Sequence, residues 1–246
     1  MPQLSIIIPS YNNLALLRDC IDSIKNQSFT DLEVFIIDAK SSDGTIEFLH
    51  SLNEPFHWIS GPDQGIYDAM NIGIALSKGK WLYFLGCDDK LFDPKTLETV
   101  FSQDINGEIS LILGNIQYVY NDDDSYFIKR NKGVFKPSWS NKIWFKNTLH
   151  HQGVFYRREV FQTHPYSLAY KVLSDYDLNL KLFRSNLKVR TIDQIIAISK
   201  TEGISKNYSW QLYKEEIDLK SKQCSIVFRP LLYVLGVGKY LLKKAL

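Results

Sequence analysis

The 246-residue chain carries 29 Lys and Arg against 27 Asp and Glu, a formal net charge of +2, and 45% hydrophobic residues. That apolar share is enough for a real core in one domain, or one domain with a tail. The near-balanced charge, with no arginine-rich run, excludes a nucleic-acid-binding protein. Three widely spaced cysteines, Cys20, Cys87 and Cys224, make neither a disulfide framework nor a zinc set, which points to a reducing cytosol. The opening MPQLSIIIPSYNN has no basic region ahead of its apolar run and does not read as a signal peptide.

Leu4 to Pro9 is a short apolar run that predicts a strand. Asn12 or Asn13 can cap a helix whose Leu14, Leu17, Ile21 and Ile24 fall at helical spacing. Leu32 to Asp38 predicts a second strand. Ser42-Asp43-Gly44-Thr45 starts a helix to about Ser51, with Asp43 as a cap. Phe56 to Ser60 predicts a third strand. Gly61-Pro62-Asp63 forms a turn before an amphipathic helix with Ile66, Met70 and Ile74 toward the core. Past Gly79 comes an apolar strand, Trp81 to Leu85, with Asp88-Asp89 beyond its carboxyl end. Alternating strands and helices over the first ~90 residues predict a parallel sheet with covering helices.

The second half changes character. Pro94 to Phe101 predicts a helix, and Ile109 to Tyr120 with Tyr126 to Arg130 a hairpin around Asn121 to Asp124. Lys132 to His150 is aromatic and irregular. Val154 to Arg157 predicts a strand, Asp175 to Phe183 a helix, and Val189 to Ile192 and Ile195 to Ser199 two further strands. Ser209 to about Lys222 reads as a charged helix with Trp210, Tyr213 and Ile217 on one face.

Parallel sheets bind ligands at the carboxyl ends of their strands. Four candidate positions fall there: Pro9-Ser10-Tyr11, Asp38, Asp63 and Asp88-Asp89. An Asp after a strand is by itself most often a turn former, but four such ends in succession point to a ligand. No Gly-x-Gly-x-x-Gly and no Gly-Lys-Ser/Thr loop follows the first strand, so dinucleotide and P-loop chemistry lose their support. A divalent ion held by Asp88-Asp89 can neutralise phosphates instead, with hard oxygen ligands.

The segments SIIIPSYNN, FIIDAKSSDGT, PDQGIYDAMNIGIALSKGKWLYFLGCDD, HHQGVFYRREVF and SDYDLNLKLF together resemble a family 2 glycosyltransferase of the GT-A fold. The closest subgroup is the bacterial cell-surface polysaccharide type related to colanic-acid transferases. The resemblance covers about Gln3 to Ser205. It implies an α/β fold, a Rossmann-like and mostly parallel central sheet with helices on both sides, plus a partly apolar helical tail. Residues 1–205 would be the GT-A domain, with 1–90 binding the nucleotide sugar and 91–205 the acceptor. Residues 206–246 would form C-terminal helices.

The activity implied is inverting transfer from a nucleotide-diphosphate sugar, a UDP-sugar, to a glycan or lipid-linked acceptor of cell-surface polysaccharide, O-antigen or lipopolysaccharide. Mn²⁺ or Mg²⁺ would be the cofactor. By the same resemblance Pro9, Tyr11, Asp38, Asp63 and Asn71 line the nucleotide pocket, with Asp38 accepting from the uracil imide N–H. Asp88 lies near the ribose and Asp89 holds the metal. Asp175 is the base, with Asp177 second to it. His151 and Gln152 contact acceptor or diphosphate, and Glu202-Gly203-Ile204-Ser205 is a loop closing over the donor. Asp68 and Asn71, three apart, share a helical face toward the nucleotide. Two places depart from the common wording: Ala39-Lys40 replaces a Gly-Gly or Gly-Ser pair, and Cys87 stands where Ala or Ser is usual. A nucleotidyltransferase, or an inactive glycan-binding scaffold, remains the alternative.

The end of the chain, Ile226 to Leu246, is apolar with Arg229, Lys239, Lys243 and Lys244. Its uninterrupted run, Pro230 to Gly238, is nine residues against ~20 needed to span a bilayer. A peripheral helix with its basic residues at anionic headgroups fits, at the inner face of the cytoplasmic membrane. Packing on the domain or on a second subunit is the other expectation.

Overall fold

The apolar run at the start of the chain becomes β1 (Leu4–Ser10), buried at all seven residues. A strand buried on both faces belongs inside a parallel sheet. β1 lies there, between β2 (Leu32–Asp38) and β4 (Trp81–Phe84), both parallel to it. β3 (Phe56–Ser60) adds parallel to β2. The crossovers are α1 (Leu14–Lys25), α2 (Thr45–His50) and α3 (Ile66–Leu76). The predicted strand–helix alternation is therefore the observed one. The computed structural model describes residues 1–102, 107–119, 131–200, 209–224 and 226–245.

The second half extends this sheet with mixed direction. Its elements are β5 (Lys90–Leu91), α4 (Thr96–Phe101), β6 (Leu111–Val119), β7 (Val134–Phe135), β8 (Val154–Arg157), α5 (Val160–Thr163), α6 (Ser174–Arg184), β9 (Val189–Lys200), α7 (Trp210–Gln223) and α8 (Arg229–Ala245). Single 3₁₀ turns form at Asn141–Trp144, His151–Gly153 and Ile226–Phe228. The strand order is β3-β2-β1-β4-β8-β6-β9-β5, with β7 on β6. β8 runs antiparallel between β4 and β6, and so carries the 151–153 turn to the carboxyl end of β4.

Successive side chains of a strand point to opposite faces, and β1 shows it. Ile6 and Ile8 pack with Leu17, Ile21 and Val34 on one face. Ile7 packs with Tyr67, Met70 and Phe84 on the other. A third cluster, Ile143, Tyr170, Tyr176, Leu180 and Leu219, fastens α7 to α6.

Several expectations need correction. The two late strands are one, β9. Register shifts between Leu113 and Ile116 of β6 accommodate the polar Asp193-Gln194, and Asn115 Nδ2 donates to Asp193 at 2.9 Å. The strand returning along β6 is β7; the expected one, Tyr126 to Arg130, and the turn before it lie outside the described residues. In α3 the inward residues are Tyr67, Ala69, Met70 and Gly73, while Ile66 is 39% exposed. Gly73 sets this rotation: a Cβ there would lie 2.4 Å from Ile7 Cγ2, so the helix rests directly on β1. Asn13 is the N-cap of α1 without a side-chain bond. Asp43 Oδ2 takes the Leu14 N–H instead (2.8 Å), while Asp43 Oδ1 takes Thr45 N–H and Oγ1–H, so one aspartate serves two helix starts.

Candidate active site

Asp38 ends β2 beside Ser10 of β1. It is 1% exposed, and its carboxylate accepts from Ser41 N–H (3.0 Å), Ser41 Oγ (2.5 Å) and Ser60 Oγ (2.6 Å). A carboxylate has about four acceptor positions, so one is left for an incoming N–H. Lys40 follows in the left-handed region, φ 56°, and is exposed. That backbone suits glycine best, which explains why the resemblance puts one there. Tyr11, beyond β1, is 62% exposed. Asp63 accepts from Gly65 N–H at 2.9 Å, and Asp68 from Gln64 N–H at 2.9 Å, so both shape the entry to α3.

Asn71 does something the sequence did not suggest. Its Nδ2 donates to Tyr166 O (2.9 Å) and its Oδ1 accepts Tyr166 N–H (3.0 Å), so both ends of the amide tie α3 to the loop after α5. Asn71, expected along the nucleotide pocket, thus also serves as a tether between these two segments.

Asp88 and Asp89 follow β4. Asp89 is 2% exposed and Asp88 half-buried. Burial, then the neighbouring Asp88 charge, pushes the Asp89 carboxyl up to about 6, against hydrogen bonds from Ser199 and Gln152. A Cβ on Gly86 would lie 2.4 Å from Asp89 Oδ2 and 2.9 Å from Asp88 Oδ1, so the two carboxylates share the space this glycine leaves free. Two hard oxygens from adjacent carboxylates, one of them short of compensating positive charge, fit a divalent cation with water and diphosphate as its other ligands. Among the described residues no group of three His, Cys, Asp or Glu converges to hold one by protein atoms alone. Cys87 is a bystander: burial raises its thiol to about 11, and it accepts a weak contact from Asn13 Nδ2 at 3.9 Å.

Asp175 opens α6 from the other half of the chain. Its Oδ1 accepts Tyr176 N–H (2.7 Å) and lies 3.2 Å from Tyr67 Oη; its Oδ2 accepts from Asn147 Nδ2 (3.2 Å). Burial raises its carboxyl to about 6, and those hydrogen bonds oppose the rise. Asp177 is differently placed. It binds Lys181 Nζ (2.6 Å) and accepts from Gln223 Nε2 (3.1 Å), which makes it a structural carboxylate.

The 151–153 turn connects the two acidic centres. Gln152 Nε2 donates to Asp89 Oδ2 at 2.5 Å, and its carbonyl accepts from Tyr83 Oη at 2.8 Å. One residue earlier, His151 Nδ1 lies 3.9 Å from Asp175 Oδ2. Burial, with His150 beside it, pushes the His151 imidazole down to about 3, so it stands neutral next to the carboxylate. The structure thus brings Asp88, Asp89, Gln152, His151 and Asp175 together. Ser41, Ser60, Tyr67, Asn147 and Ser199 were missed from sequence, where a lone Ser, Tyr or Asn carries no spacing signal. Glu202 to Ser205 lie outside the described residues.

Residues 5–164 match the family model described as Glycosyl transferase family 2. A "PGL/p-HBAD biosynthesis glycosyltransferase" of Mycobacterium tuberculosis (strain ATCC 25177 / H37Ra) is 36% identical over 212 residues, 82% of this chain and 77% of that protein. A chondroitin synthase of Pasteurella multocida (strain Pm70) is 30% identical over 186 residues, 74% of this chain but 19% of the synthase. In structure, S. aureus TarS 1–349 in complex with UDP-GlcNAc is similar at a TM-score of 0.72 and 18% identity, over 90% of this chain and 66% of that one. A mannosyltransferase from Pyrobaculum calidifontis in complex with GDP-Man and Mn²⁺ gives 0.65 at 15% identity, over 94% and 68%.

The mixed α/β sheet with a parallel centre, shared with these structures, is the GT-A glycosyltransferase fold. The chain belongs to glycosyl transferase family 2. The family match ends at residue 164, ahead of Asp175, so α6 and its carboxylate stand outside the matched segment.

Proposed function

We propose that the protein transfers one sugar, with inversion, from a UDP-sugar to a glycan or lipid-linked acceptor in cell-surface polysaccharide, O-antigen or lipopolysaccharide synthesis. The observation that carries this is the 151–153 turn, which holds Asp89 of the donor half and Asp175 of the acceptor half around one peptide. Asp38 accepts the uracil imide N–H, Tyr11 stacks on the base, Pro9 and Asp63 border it, and Asp88 meets the ribose. Asp88 and Asp89 would hold Mn²⁺ or Mg²⁺, with Asp89 the main ligand; the ion supplies positive charge to the diphosphate. Asp175 Oδ2 takes the proton of the acceptor hydroxyl as its oxygen bonds to the anomeric carbon. The bond from that carbon to the diphosphate oxygen breaks on the opposite face, and the nucleoside diphosphate leaves with the electron pair. Neutral His151 and Gln152 line the path between the two.

The acceptor side of the reading includes the membrane. No helix of the described residues is long and apolar enough to cross one. α8 instead lays one face on α7, with Tyr240 against Trp210 and Tyr213, and Gly236 against Ile217. The packing expectation holds for this face. Lys239 also turns inward, to Glu216 Oε1 (2.6 Å) and Phe145 O (2.8 Å), and so is corrected from a headgroup contact to an anchor. The other face exposes Leu231, Val234, Leu235, Leu241 and Leu242 at helical spacing. We read this ridge as a peripheral contact with the inner face of the cytoplasmic membrane.

The test is sugar transfer at saturating donor with Asp175→Asn beside Asp177→Asn. The first should lose ~10²–10⁴-fold in turnover while still binding UDP; the second should keep turnover and lose stability. Normal turnover in Asp175→Asn overturns the base assignment. A thermal-shift screen of UDP-sugars and GDP-mannose with Mn²⁺ or Mg²⁺ tests the donor, because a bound donor stabilises the native state by mass action.

A further inference from the structure

We propose that Glu215, on α7, is a positioning residue for Asp175: it fixes the loop 171–173 that leads into α6, and through that loop the Tyr67 hydroxyl that meets the Asp175 carboxylate. The proposal rests on the reading of Asp175 as the base.

Glu215 is 6% exposed. A buried carboxylate must be compensated, and among the described residues no Lys, Arg or His forms an ion pair with it. Its partners are backbone. Oε1 accepts Lys171 N–H (3.0 Å), and Oε2 accepts Val172 N–H (3.1 Å) and Leu173 N–H (3.3 Å). Three successive N–H groups converging on one carboxylate form an anion-binding nest. The nest lies at the start of α6, where the N-cap Leu173 has no side-chain cap bond. The N–H of the N-cap residue, Leu173, is among the groups a helix start leaves open, and the helix dipole favours a negative charge there. Here that charge comes from a different helix, 42 to 44 residues further along the chain.

The nest continues to the base. Val172 gives its N–H to Glu215, and its carbonyl accepts from Tyr67 Oη at 2.7 Å. The same Tyr67 oxygen is 3.2 Å from Asp175 Oδ1, so its single proton serves both. Displacing Val172 therefore displaces the hydroxyl from the carboxylate. Glu216, the next residue, is a natural control. It binds Lys220 and Lys239 and joins α7 to α8, but makes no bond to the loop.

The experiment uses the full-length protein and three readouts: transfer kinetics at saturating donor, the pH profile of turnover, and hydrogen exchange of the 171–176 amides. Asp175 is faced by Tyr67, Asn147, His151, Tyr156 and Tyr166. In Glu215→Gln, turnover should fall on the order of 10- to 100-fold, with donor KM held within about twofold. The acidic limb should move, because a hydrogen bond to the charged form of Asp175 is weakened while a nearby negative charge is lost. Exchange at 171–173 should rise. Glu216→Gln should lower stability and move neither the limb nor those amides.

If Glu215→Gln matches Glu216→Gln in turnover and limb, or if its 171–173 amides stay protected, the proposal is overturned. Should Glu215→Gln fail to fold, Tyr67→Phe keeps the nest and removes the shared hydroxyl. It must show an upward limb, because it removes that hydrogen bond and no charge, and an unmoved limb overturns the proposal. Failure of the underlying reading looks different: Asp175→Asn would retain transfer, and raised exchange in Glu215→Gln would then mark an anchor with no base to position.

Discussion

Asp175 is 9% exposed, and burial holds its carboxyl at about 6, where an unfolded chain would have 3.8. A carboxyl raised on folding favours the native state in its protonated form. Its contribution is fully present below about pH 4 and is lost as pH rises through about 6. At pH 7.5 the native state therefore carries an unfavourable charge that Asp175→Asn removes. The variant should be more stable than wild type there by up to roughly 3 kcal/mol, and the gain should shrink by pH 4.5. Urea melts at the two pH values check this; equal gains at both would show that burial is not the cause. On the reading of Asp175 as the base, the same ionisation would set the rate. A base must be deprotonated, so turnover should decline as pH falls through about 6. A flat profile from pH 5 to 8 would count against Asp175. Gaining stability by losing function is the trade expected at a desolvated active-site charge.

At the scale of the element, α3 joins the first part of the sheet to the segments that follow it. It rests on β1 through Gly73, holds the loop after α5 through Asn71, and turns Tyr67 to Asp175. Asn71→Ala leaves Tyr166 N–H and C=O without these partners and should cost about 1–3 kcal/mol by urea unfolding. UDP affinity should change little by calorimetry, because both ends of the amide are engaged by Tyr166; a tenfold loss would show that Asn71 also reaches the nucleotide. What the sequence showed and hid divides along the same line. β1, β2 and β4 were legible because strands buried on both faces read as apolar runs, and Asp38 and Asp88 because they follow those runs. Ser60 beside Asp38, Asn147 beside Asp175 and Glu215 beneath the 171–173 loop were not, since each depends on segments 22, 28 or about 43 residues apart meeting in space. Asp193-Gln194 looked like a break because polar residues favour turns; the β6 register shifts absorb them instead. Ile66 looked inward because its spacing from Met70 and Ile74 is helical, but close approach at Gly73 outranks that pattern.

At the scale of the molecule, α7 and α8 fasten an apolar ridge to the part of the chain that carries Asp175. Val234 and Leu242 are each 67% exposed, and neither is needed for the contact of Tyr240 with Trp210 and Tyr213. Val234→Glu with Leu242→Glu should strongly reduce sedimentation with anionic vesicles and spare transfer to a soluble acceptor. Unchanged sedimentation would remove the membrane from the reading, whereas loss of a dimer in solution would assign the ridge to a second copy. The 151–153 turn has a consequence of another kind. Gln152 grips Asp89, which on the proposed reading serves the leaving diphosphate, and His151 borders Asp175, which on the same reading takes the incoming proton. On that reading one peptide ties the place of bond breaking to the place of bond making. An activated sugar and its acceptor would then be held in register by the backbone between two adjacent residues.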